Sequence, residues 1–150
     1  MSTRELVNGG PMQRFIAKIL DELIMLAALF PILAILGNSP LTLVLLFMVP
    51  LLYHVYTHAS IHQATLGEQI MKLRVVTLSG MRLTTRQSLE RSLAYAIPTL
   101  PAYAALDEKA IMSIMMFLVF AWFMPILLSR NATGMHDILC GCRVVAGRSA

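Results

Sequence analysis

The chain has 150 residues, 57% of them hydrophobic and only 13% charged, with a mean hydropathy of +0.71 and a net charge of +4. Soluble domains carry about twice that share of charge, so a water-soluble enzyme, a disordered tail and a secreted disulfide scaffold are excluded. The composition is that of a membrane protein with a single domain over residues 1–150.

A helix needs about 20 mostly apolar residues to cross the hydrocarbon layer, because lipid satisfies no backbone amide. Residues 15–36 form the first such stretch, broken near its start by Lys18, Asp21 and Glu22. The charges inside this run argue against a cleaved signal peptide. Residues 41–62 open with LTLVLLFMVPLLY and turn polar toward the end. Residues 86–106 contain Pro98 and Pro101, and Thr84 and Gln87 are spaced as a capping box before them. Residues 110–129 carry no charge. Four crossings place Arg4, Arg14, the basic cluster over 72–91, Arg130, Arg143 and Arg148 on one side, with only Lys109 opposite. Basic loops face the cytoplasm, so four spans with both termini on the cytoplasmic side are expected.

Two segments resemble each other: GEQIMKLRVV (67–76) and HDILCGCRVV (136–145). Glu68 then falls opposite Asp137, and Arg74 opposite Arg143. Upstream, RFIAKIL (14–20) resembles RSLAYAI (91–97). The expected architecture is an all-α four-helix transmembrane bundle built from two parallel two-helix repeats, with short cytoplasmic β-prone segments. RVVTL, the turn residues Ser79 and Gly80, and MRLTT read as a hairpin. The second RVV run is placed to pair with the first.

The residues also resemble the RDD family of bacterial integral membrane proteins. The motif residues are Arg14 and Asp21 in QRFIAKILDELI and Asp137 in GMHDILCGCRVV. TLGEQIMKLRVV supplies a Thr-x-Gly followed by Arg-Val-Val, and Gly80, Leu89 and Arg91 follow in order. The resemblance spans about residues 11–146. Glu68 stands where family members commonly have Lys, and Cys142 where they often have Thr. The resemblance implies a membrane protein with a suspected transport role, cation/proton exchange having been attributed to some members.

An ionised carboxylate at a helix centre costs roughly 2.5–3.5 kcal/mol on insertion scales and is usually functional or paired. Asp21 is the leading candidate. It lies about 10 Å along the helix from Arg14 on the same face, and Lys18 sits three residues before it, within pairing range. Either Asp21 exchanges a proton or cation, or it belongs to a buried ion pair that locks helix register. His136 and Asp137 follow the turn at 131–134, and Arg14 is the natural partner of Asp137. Glu22 points about 100° away from Asp21. Arg91 and Arg143 complete the charged set.

His54, His58 and His62 recur at four-residue spacing, which suits a metal, a proton relay or a polar interfacial face. Cys140 and Cys142 offer soft ligands, but small thiols are also common in tight packing. Lys72, Arg74, Arg82, Arg86 and Arg91 are explained by attraction to an anionic leaflet, without nucleic acid. Phosphate loops, catalytic triads and dinucleotide fingerprints are absent from the sequence, so neither enzyme activity nor a cofactor is expected. Partners are the lipid bilayer, further copies of the chain in a homo-oligomer, and other membrane proteins. Exchange of cations or protons is the first functional expectation, and a non-catalytic scaffold whose buried charges are structural ties is the alternative.

Overall fold

A computed structural model describes residues 7–37, 39–103, 107–128 and 133–147. Arg4, Arg130 and Arg148, used above to orient the chain, lie outside the described residues, as do 131 and 132 of the expected turn.

Helix α1 spans Pro11–Leu36, four residues longer at its start than the apolar run. Pro11 opens it, where the missing amide costs nothing, and the Gly10 amide donates to the Gln13 side chain (3.1 Å). Gly37, at φ 55°, ends it. Helix α2 spans Pro40–Ala59, with Ser39 Oγ accepting the Thr42 amide at 3.2 Å. It stops at Ser60, so Ser60, Ile61 and His62 fall outside the helix expected to continue to 62. Helix α5 spans Glu108–Leu128 and buries none of its residues.

These three helices are long and apolar enough to cross a membrane. The fourth stretch is built differently. Helix α4 covers only Thr85–Ala96, started by the expected Thr84/Gln87 capping box. It then tightens into a 3-10 segment over Ile97–Tyr103, which contains Pro98 and Pro101. Proline removes the amide a continuing α-helix needs, which accounts for the break.

Two short helix–strand units complete the chain. Helix α3 (Leu66–Ile70) leads into strand β1 (Leu73–Thr77), and helix α6 (Met135–Leu139) leads into β2 (Cys142–Ala146). Each unit recurs after 69 residues (66 to 135, 73 to 142). Lys72 and Gly141, which link helix to strand, share a positive φ of 55° and 59°. The strands pair antiparallel with Val75 opposite Val144, Arg74 opposite Val145 and Val76 opposite Arg143. A local two-fold axis therefore passes through the Val75–Val144 pair.

The expected second RVV partner is present, but the expected hairpin is not. Gly80 makes the turn, at φ 83°, and the Thr77 amide donates to the Met81 carbonyl at 2.8 Å. The residues after it form no strand; on that edge of β1 the next free amide, Val75, is taken by the Gln63 carbonyl at 2.7 Å, while β2 lies along the opposite edge. On the far side of β2 the N-terminal arm pairs through Asn8 and Val145. The packed core lies at this end of the molecule, where Ala17 of α1 meets Leu73, Val75, Leu83, Cys142 and Val144.

Candidate functional site

The charged residues gather where α1, α2 and α4 meet the two short helices. Two carboxylates lie at corresponding positions of the repeated units. Glu68 accepts the Thr65 amide at 2.9 Å, and Asp137 accepts the Gly134 amide at 3.1 Å, each side chain capping its own short helix. A cap leaves most of a carboxylate's acceptor capacity free, and both groups use it across the fold.

Asp137 is fully buried and binds two arginines. Arg14 of α1 pairs with its Oδ2, as expected. Arg91 of α4 donates to Oδ1 through Nε at 3.1 Å and Nη2 at 3.0 Å, and the Cys142 thiol lies 3.7 Å from the same oxygen. Burial alone would raise the Asp137 carboxyl, but Arg91, His136 and Arg14 outweigh it and hold it well below the usual carboxylate range. Burial likewise pushes the Cys142 thiol up to about 12, against the pull of Arg91.

From Arg91 the network continues to α2 and α3. Arg91 Nη1 lies 3.3 Å from His58 Nδ1, and His58 Nε2 lies 3.0 Å from Glu68 Oε2. A guanidinium only donates and a carboxylate only accepts. His58 thus stands between a donor and an acceptor, with its Nε2 donating to Glu68. Burial would raise Glu68, but His58, Arg91 and the Thr65 amide win and hold it well below its ordinary value. The full line runs Glu68, His58, Arg91, Asp137, Arg14, with two negative and two positive charges.

Asp21 lies outside that line. It is 4% exposed, yet its partners are uncharged: Tyr53 Oη (2.9 Å), Thr65 Oγ1 (2.6 Å) and the Gly67 amide (2.9 Å). Gly67 can approach because it lacks a side chain; a Cβ there would collide with the Ala17 carbonyl oxygen and lie 2.9 Å from Asp21 Cγ. The expected pairing of Asp21 with Lys18 or Arg14 is therefore corrected. Lys18 pairs with Glu22 one turn along α1 and sits 4.3 Å over the Tyr95 ring. Glu22 is thus tied to Lys18, and Arg14 is turned toward Asp137. Among the described residues Asp21 forms no ion pair.

The histidines divide. His54 stacks on His58 at 5.7 Å between ring centres and also touches Tyr95, whereas His62 is exposed beyond the end of α2. His136 packs edge-on to Tyr95 at 5.1 Å and lies 3.3 Å from Asp137. Burial drives the His136 imidazole down to about 3, against the opposite effect of Asp137. Among the described residues His136 Nδ1 is buried without a hydrogen-bond partner. Among the described residues no group of three or more His, Cys, Asp or Glu side chains is arranged to hold a metal ion. Cys140 and Cys142 are free thiols on either side of Gly141, packed into the sheet core. Arg143 is half-buried on β2.

The sequence alone assigns no role to Thr65, Gly67 or Tyr95. For Thr65 and Gly67 a signal existed: Thr65–x–x–Glu68 has capping-box spacing, and the Thr-x-Gly motif contains two of the three donors to Asp21.

The RDD family matches residues 8–141. The chain is 29% identical over 104 residues to "Uncharacterized protein YxaI" of Bacillus subtilis (strain 168), a match covering 69% of this chain and 57% of that protein. The chain thus spans little more than half the length of that curated relative. No solved structure matches.

Proposed function

The chain belongs to the RDD family, and from that premise we propose that it acts as a small exchanger of protons or cations, alone or as a transporter subunit, with Asp21 as the exchanging carboxylate. The observation that carries this reading is the difference between the two buried aspartates. Asp137 is neutralised by Arg14 and Arg91. Asp21 is held at the inner part of an apolar span by three uncharged donors. A buried carboxylate without a counter-ion is the group whose charge a proton or cation can offset. No catalytic chemistry is assigned to the protein.

The topology proposed with it has both termini in the cytoplasm of a bacterial inner membrane. The 85–103 segment makes the fourth crossing, and each half contributes two helices. The 69-residue recurrence of the short units supports this arrangement. Four helices enclose little room, so a path between subunits of a homo-oligomer is part of the proposal.

The test is ion flux in proteoliposomes. Asp21→Asn is expected to abolish flux while the protein still elutes as a folded, monodisperse species; persistent flux would contradict the proposal. The scaffold reading draws on the balanced Glu68–His58–Arg91–Asp137–Arg14 line. It is favoured if wild-type protein shows no flux and Asp137→Asn alone dismantles the fold.

A further inference from the structure

The two short helices turn their carboxylates inward and their apolar side chains outward. On α3, Leu66 and Ile70 are 46% and 62% exposed; on α6, Ile138 and Leu139 are 57% and 60% exposed. The level of α3 along the bundle is fixed by its seat. Gly67 lies against the Ala17 carbonyl and Asp21 of α1, two to three turns into a membrane-spanning helix. Beside it α1 presents exposed Phe15 and Ile16. The outer side chains of α3 therefore continue the lipid-facing surface of α1. Helix α6 is tied to the same end of α1 through Asp137, which Arg14 holds.

A basic rim follows directly. Lys72 and Arg74 leave α3 for β1 with exposed side chains, and Arg82 and Arg86 are exposed beyond the turn. Arg82 donates to the Ala59 carbonyl at the end of α2, and Arg86 pairs with Glu90. Lys72 and Arg74 lie closest along the chain to the exposed Ile70.

We propose that α3 and α6 are paired interfacial anchors and that the rim beginning at Lys72 and Arg74 binds anionic phospholipid headgroups of the adjacent leaflet. The apolar residues enter the acyl boundary while the ammonium and guanidinium groups meet phosphate, as in amphipathic helices lying in the membrane plane. This inference is independent of what Asp21 does.

The experiment uses the full-length protein in nanodiscs of phosphatidylcholine with and without phosphatidylglycerol, with lipids that remain bound counted by native mass spectrometry. Each basic residue near an anionic leaflet strengthens attraction about fivefold. Phosphatidylglycerol is expected to be enriched over its bulk share, and Lys72→Gln with Arg74→Gln to lower that enrichment about tenfold or more. Lys109→Gln, at the start of α5, should leave it unchanged. Replacing Leu66 and Ile70 by Ser should weaken retention of both lipids. Equal retention of the two lipids by wild type, loss of enrichment in Lys109→Gln to the same degree, or displacement of the lipid by free inorganic phosphate would overturn the assignment.

Discussion

Arg14 and Asp137 stand 123 residues apart in sequence and form an ion pair that joins the first helix to the last short one. Asp137 also accepts Arg91 and the Gly134 amide, so it is the junction of three separate segments. Removing one member of a buried pair strands the others at a cost of about 3–5 kcal/mol. Asp137→Asn is expected to lower thermal stability in detergent by that order. Exchanging Arg14 and Asp137 should not restore it, because Arg91 and the Gly134 amide would then face an arginine. Full rescue by the exchange would show that the pair acts alone.

The approach of α3 to α1 rests on the missing side chain of Gly67. Gly67→Ala sets a methyl group against backbone that cannot rotate away, and such overpacking costs about 1–3 kcal/mol. At Gly10 a Cβ would meet only the Gln13 side chain at 3.6 Å. Thermal unfolding of both variants should show a loss at position 67 and little change at position 10.

Stability should fall as the solution is acidified from neutrality. His136 titrates near 6.5 when unfolded but near 3 when folded, so between those values only the unfolded chain binds its proton. Glu68 and Asp137, both held down in the folded state, add a loss of the same sign below about pH 4. A melting series from pH 7 to 4.5 is expected to lose up to about 2 kcal/mol, and His136→Gln to flatten that slope. An unchanged slope in the variant would assign the loss to another group.

The paired linkers make opposite predictions. Gly141 adopts φ 59° without penalty, whereas Lys72 holds φ 55° with a side chain. A left-handed residue other than glycine costs about 1–2 kcal/mol. Gly141→Ala should therefore destabilise and Lys72→Gly should not, as chemical denaturation in detergent would measure.

Apolar runs announced the three long helices because lipid imposes a length that composition reveals. The Arg14–Asp137 tie was legible because the two opposite charges are expected at the same face of the membrane, at the ends of the first and last spans. The cage around Asp21 was harder to read. Its donors are a tyrosine, a threonine and a backbone amide, none of which stands out by charge, and they come from α2 and the start of α3. Lys18 misled because three-residue spacing suggested Asp21, while the four-residue neighbour Glu22 lay equally near along the helix. The hairpin failed since local β-propensity names a strand without naming its partner; the Gln63 carbonyl takes the Val75 amide on the hairpin's edge, and β2, from the far end of the chain, pairs along the other.

Asp21 is proposed to change protonation or cation occupancy while Asp137 stays a fixed charge. Infrared difference spectra of the lipid-embedded protein, recorded while pH or cation concentration is varied, report it directly. A carboxyl band that responds in wild type, vanishes in Asp21→Asn and survives in Asp137→Asn is the predicted result. A band unaffected by Asp21→Asn would contradict it.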